Sequence, residues 1–272
     1  MILFADLPGT EEIPQFVGEA ACQQAVSGIQ VVIGLEMPRE EQPALEAFVE
    51  SPGKDEDRAR LLARDFWRRS QQDGHSSAAV LELIEYVREL KANGKPVTLF
   101  TYDEPTAQAS ERDAAMARNI LAWREHATNA LFLILSSGAH AHFTPPRSWE
   151  DVMPMAVHLR RSEKRLVSLA PAYEGGMAWN CHGPGPGKIE CGAHPVYGTY
   201  SPPRRPPSYV PQPSNSVERH QRFVSLWPRP SRDGFQGIFY VGTVTAAPPA
   251  IEHGKKAAKE WTRSGAGHFR SP

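Results

Sequence analysis

Side chains able to do acid–base work stand just beyond four apolar runs. Asp6 follows Ile2-Leu3-Phe4, Glu36 follows Val31–Leu35, Asp103 follows Val97–Phe100, and His140 and His142 follow Leu131–Leu135. Three carboxylates and two imidazoles make a set that can hold a cation or move protons. The same acids can also be plain helix and turn caps, because a short carboxylate accepts backbone N–H groups. The choice between the readings depends on whether the chain brings them together.

The elements that would do so are legible. The four runs and a fifth, Leu166–Leu169, are short, continuous and β-prone, as in strands buried on both faces. Helix patterns separate them over 11–27, 39–50, 56–71 and 109–126. In the helix that starts near Ser76-Ser77, Val80, Leu83, Ile84, Val87 and Leu90 form the apolar stripe, Ser76 or Ser77 is the expected cap, and Gly94 is the stop. Strand–helix alternation predicts an α/β fold with a mainly parallel sheet flanked by helices. In such sheets ligands bind outside the carboxyl ends of the strands, where the polar residues stand.

After about residue 172 the chain changes character. Residues 183–187 read Gly-Pro-Gly-Pro-Gly, and eight prolines fall within 197–233. Such a stretch is neither helix nor central strand; it predicts a long loop or an arm lying over the domain. One more strand, Gly237–Gly242, follows. The expected organisation is a single α/β domain over 1–255, with a Pro-rich arm over 197–233 and a basic flexible tail over 256–272. Tyr197, Tyr200, Tyr209 and Trp227, with Arg204, Arg205, Arg219 and Arg222, either grip an extended peptide or aromatic ligand or pin the arm down.

A formal net charge of −1 in 272 residues gives no field that would draw nucleic acid or an anionic membrane. No apolar run reaches the length of a membrane span, no leader pattern is visible at the N-terminus, and a cytoplasmic location is expected. Three cysteines do not make a disulfide framework. Cys181, His182, Cys191 and His194 have zinc-ligand chemistry, but adjacent Cys-His is not the usual half-site spacing, so a free-thiol turn or a cystine pinning a loop is the expected reading and zinc the alternative.

Six segments occur in an order that resembles bacterial relatives of the erythromycin esterase, ChaN and Tiki superfamily: "ILFADLPGTEEIPQFVGE", "VVIGLEMPREEQPALEAFV", "DFWRRSQQDGHSSAAVLELIEYVREL", "ERDAAMARNI", "GGMAWNC" and "GIFYVGTVTAAPPA". The resemblance implies a parallel α/β core with a strand-end crevice, used by some members as esterases, by some as metal-dependent peptidases and by some to bind haem. Where the family has Gly-Glu-x-His-Gly-Thr after the first strand, this chain has Ala5-Asp6-Leu7-Pro8-Gly9-Thr10: the acid is shorter and proline replaces the histidine. Glu36 matches the second-strand acid, and Arg112-Asp113 an Arg-Asp pair that begins a helix. His75 stands where relatives have arginine. The Gly-x-x-His motif after the fourth strand is out of register, since Gly138 plus three is Ala141.

Strand-end placement taken together with the resemblance gives the candidate set: catalytic roles for Asp6, Glu36, Arg112, His140 and His142, and substrate contacts for His75, Asp103, Asp113 and Trp179. The expected function is a repurposed member that binds or tailors a peptide or small metabolite in a bacterial biosynthetic pathway, its ordinary metal-dependent hydrolysis lost. The alternative is a working esterase or peptidase. No cofactor is expected, with a divalent metal as the alternative. The expected partners are a peptide or small-molecule ligand, with a homo-oligomer or a pathway protein allowed for.

Overall fold

A computed structural model of the protein describes residues 1–144, 152–183, 188–200 and 222–252. Strands β1 (Ile2–Asp6), β2 (Val31–Pro38), β3 (Val97–Asp103) and β4 (Leu131–Ser137) contain the first four apolar runs, and β5 (Val167–His182) contains most of the fifth. With β6 (Glu190–Tyr197), β7 (Phe223–Leu226) and β8 (Gly237–Val244) they form one sheet in the order β3-β2-β4-β1-β5-β8-β7, with β6 paired to β5. Strands β1 to β5 and β8 run parallel; β6 and β7 are antiparallel to their partners. The architecture is α/β, with a mainly parallel sheet between helices.

Alternation along each strand feeds two cores. Phe4, Ile33, Leu35, Leu99, Leu133 and Leu135 face helices α1 (Glu12–Val26), α2 (Gln42–Val49) and α5 (Ala78–Ala92). Leu3, Val32, Phe100, Phe132 and Ile134 face α6 (Ala109–His126) and α8 (Met155–Ser162). Both faces are covered, so the strands carry almost no polar residues until they emerge at their carboxyl ends.

The structure departs from the sequence expectations in four places. The helix expected over 56–71 is two, α3 (Asp55–Leu62) and α4 (Asp65–Arg68), separated where Arg64 adopts an extended backbone. The break turns Phe66 and Trp67 into the core, where their rings meet edge-on at 5.1 Å. Ser77 is the N-cap of α5 by position, but its hydroxyl makes no cap bond; the Ser76 hydroxyl is donated to Gln72 instead, at 2.6 Å. The one-turn helix α7 (Gly138–Ala141) and helix α8 have no expected counterpart. Finally, β5 continues far past residue 172 and turns back as β6, a hairpin just before the stretch read as loop or arm, and β7 lies within that stretch.

The β5–β6 hairpin carries a disulfide between Cys181 and Cys191, which are paired in register. Closing a loop with a sequence separation of 10 stabilises it by about 3 kcal/mol in the chain-entropy account. Cys22 is the free cysteine. Thiol titration in denaturant should find one reactive thiol per chain before reduction and three after it.

The Pro-rich stretch over 201–221, with Arg204, Arg205, Tyr209 and Arg219, and the tail over 256–272 lie outside the described residues. Residues flanking that stretch pack on the domain: Tyr200 lies against Phe223 and Tyr240, and Arg222 donates to Glu19 and Gln15. Tyr197, by contrast, is 93% exposed. Among the described residues no helix is long and apolar enough to cross a membrane.

Candidate active site

Because β4 lies between β2 and β1, the ends of three strands meet at one place. Asp6 pairs in register with Ser137, and the Ser137 amide donates to Glu36 Oε2 at 2.6 Å. The Ser137 hydroxyl reaches both Glu36 oxygens, at 3.0 and 2.9 Å. Three basic groups then surround Glu36 Oε1: His140 Nε2 at 3.5 Å, His75 Nε2 at 3.6 Å and Arg112 Nη2 at 3.6 Å. The Glu36 side chain is only 7% exposed.

Each basic group is held from behind by its own acid. His140 Nδ1 lies 2.8 Å from Asp113 Oδ1, an oxygen that also accepts the Met155 amide at the start of α8. Arg112 grips Asp103 through two parallel bonds of 2.8 and 2.9 Å. His75 Nδ1 faces Asp73 at 3.0 Å, and its Nε2 meets the Ser137 hydroxyl at 2.9 Å. Asp103 and Asp113 therefore orient the basic groups around Glu36, a placement different from the substrate contacts expected of them.

Position 8, just beyond Asp6, is a proline. The Pro8-Gly9 turn is clamped: the Gly9 carbonyl accepts the amides of Trp179 and Ala247, both at 2.8 Å. Gly9 has φ +80°, and a Cβ there would fall 1.9 Å from the Trp179 carbonyl oxygen, so both backbone and space demand glycine. The loop carrying His75 packs on the same turn; a Cβ on Gly74, at φ +96°, would lie 2.5 Å from the Gly9 nitrogen. The Trp179 indole donates to the Gln72 carbonyl at 2.9 Å. Trp179 thus positions the His75 loop.

The out-of-register motif after β4 has a simple resolution. The one-turn helix α7 directs His140, at Gly138 plus two, into the cluster and buries Ala141. The backbone becomes extended at His142, which turns that ring away to lie edge-on against Phe235, with centroids 4.7 Å apart. Burial lowers the His142 pKa. Asp73 and Ser137 were missed by the sequence reading; Asp-x-His beside a strand-end serine is too common a pattern to stand out.

The electrostatics follow from this packing. Burial pushes the Glu36 carboxyl up, but the hydrogen bond and charge of His75, the charge of His140 and the Ser137 amide pull harder and hold it well below the usual range. Burial opposes the charged form of His75, yet Asp73 and Glu36 raise its pKa to about 10. His140 is raised by Asp113 and Glu36 against burial and Arg112. Asp6 goes the other way: burial lifts it to about 7, Glu36 adds to that, and His75 opposes it. Its Oδ1 is buried without a hydrogen-bond partner among the described residues.

This donor set does not fit a divalent cation. Glu36 Oε1, the natural ligand atom, already faces two imidazoles and a guanidinium, and the guanidinium cannot shed its charge. Among the described residues no three or more His, Cys, Asp or Glu are grouped so as to hold a metal ion.

No protein-family model and no curated protein sequence matches the chain. Solved structures do. A mutant of erythromycin esterase EreC in its open conformation superposes with a TM-score of 0.64, at 10% identity, covering 92% of both chains. This chain has the fold of an erythromycin esterase. A succinoglycan biosynthesis protein shares that fold with a TM-score of 0.58 at 8% identity, over 91% of this chain and 88% of the other. At such identities the erythromycin esterase likeness is one of fold, so the chemistry must be argued from this chain's own side chains.

Proposed function

We propose that the protein is a repurposed member of the erythromycin esterase, ChaN and Tiki-like superfamily that tailors a peptide or small metabolite at a carbonyl group by acid–base chemistry, without a divalent metal. The observation that carries this reading is the docking of the His75 loop on the Pro8-Gly9 turn. It supplies an imidazole beside the turn that lacks the family's histidine. Near neutral pH, Glu36 is anionic while His75 and Arg112 are cationic, and Asp113 and Glu36 favour the charged form of His140. These groups form a fixed electrostatic frame, and their N–H groups can stabilise negative charge developing on a carbonyl oxygen. Asp6, at about 7, is the group able to exchange a proton with substrate.

The His140–Asp113 pair favours a second reading. An imidazole oriented by a buried carboxylate is a usual general base, and an esterase or peptidase could use it. Asp113 and Glu36 raise the His140 pKa, which disfavours the neutral imidazole that a general base needs.

The two readings separate in a turnover screen of peptides, amides and simple esters followed by mass spectrometry from pH 5 to 9. The tailoring reading expects product that depends on Asp6, with an apparent pKa near 7. His75→Gln should lower turnover by about 10²-fold or more, the usual contribution of a positioned acid–base group. Rapid hydrolysis of simple esters that survives both Asp6→Asn and His75→Gln, with no peptide or metabolite bound, would sink the proposal.

A further inference from the structure

On the β5–β6 hairpin, away from the strand-end cluster, two histidines meet. The rings of His182 and His194 stand edge to face with centroids 4.4 Å apart. The hairpin register explains why. Cys181 pairs with Cys191, His182 with Glu190, Asn180 with Gly192 and Ala178 with His194. Side chains alternate between faces along each strand. Both cysteines therefore lie on one face, while Asn180, His182, Glu190, Gly192 and His194 share the other. A mixed Cys₂His₂ zinc site is excluded by the pleat, and the disulfide occupies the thiols in any case.

The histidine face has unmet bonding capacity. His194 Nε2 and Asn180 Oδ1 are both buried and without a hydrogen-bond partner among the described residues. A Cβ on Gly192, which pairs in register with Asn180 on the same face, would lie 3.8 Å from His194 Nε2. Glycine at 192 keeps that space free of a side chain. Glu190, opposite His182 on the same face, adds negative charge nearby.

We infer that this face of the hairpin is a site for a borderline divalent transition metal, with His194 Nε2, His182 and Asn180 Oδ1 as protein ligands and water completing the shell. Imidazole with an amide oxygen suits copper, nickel or zinc, and not the hard cations magnesium or calcium. The disulfide on the opposite face clamps the two strands at the register that brings the imidazoles together.

The test uses the full chain with its disulfide intact, confirmed by thiol titration. Zn²⁺ and Cu²⁺ are titrated separately by calorimetry, and the Cu²⁺ complex is read by electron paramagnetic resonance. The expected result is one equivalent bound, with two imidazole nitrogens on copper. His194→Gln should weaken binding at least about tenfold, a loss no smaller than that from removing an outer-shell partner of a metal ligand. Gly192→Leu, which keeps both imidazoles and fills the space beside His194 Nε2, should weaken it as well. Either of two results would overturn the inference: no binding by the oxidised protein, or binding unchanged in His182→Gln/His194→Gln. Binding that appears only after reduction would do so too, since it would place the metal on the thiolates.

Discussion

Glu36→Gln should cost about 3 kcal/mol of stability near pH 6, read by urea unfolding. Removing one partner of a buried ion pair costs about 3–5 kcal/mol because the other charge is left uncompensated. Here three cations lose a shared anion, but each keeps its own acid in Asp73, Asp103 or Asp113, which places the effect at the lower end. The loss should depend on pH in a defined way. Glu36 is depressed in the fold, so its contribution is present above its unfolded pKa of about 4.3 and disappears as pH falls toward its folded value. His75 is raised to about 10, so its contribution is complete below about 6.5 and fades as pH climbs to about 10. The gap between wild type and variant should be widest from about pH 4.5 to 6.5 and narrow on both sides. The His75 pKa, followed by NMR, should fall in the variant. A gap that is flat from pH 4 to 10 would show that Glu36 is not the common partner of these groups.

Asp6→Asn should do the opposite to stability while abolishing turnover. In wild type the Asp6 carboxyl titrates at about 7 in the fold against 3.8 for an ordinary aspartate. The folded state holds the proton longer, so stability falls as pH rises from 3.8 to 7, by at most about 4 kcal/mol, and is constant beyond. Asparagine has no such titration. Its amide still has to find partners where Asp6 Oδ1 has none among the described residues, which costs about 1–3 kcal/mol. The net expectation is a gain of about 1–3 kcal/mol at pH 8 and no gain at pH 4. A group kept at a cost in stability and lost with activity is what a proton-transfer residue looks like. Equal stability of the two proteins at every pH would place the Asp6 carboxyl in solvent, leaving it no special reactivity.

Much of this arrangement follows from the order of residues alone. Runs such as Val31–Leu35 and Leu131–Leu135 have no polar face, which only a sheet covered on both sides can accommodate. That one inference also carries Asp6, Glu36, Asp103 and His140 to the same edge, because parallel strands present their carboxyl ends together. The break at Ala63-Arg64 was not legible, since it depends on Phe66 and Trp67 finding room in a core built by other segments. The long β5–β6 hairpin was hidden by Gly-Pro composition at its tip.

The sequence by itself determined the α/β layering, the strand ends as the place where chemistry can occur, and a proline at position 8, which can neither ligate a metal nor move a proton. Those are consequences of local pattern and of residue type. Only the tertiary structure decided that His140 enters the cluster while His142 leaves it, that His75 arrives from a distant loop, and that Asp6 and Glu36 hold their protons so differently. Burial and opposing charge set those outcomes, and both come from groups far apart in the chain. Glu36 is kept ionised by His75 and His140, whereas Asp6, also beside His75, is lifted chiefly by burial and by the charge of Glu36 itself.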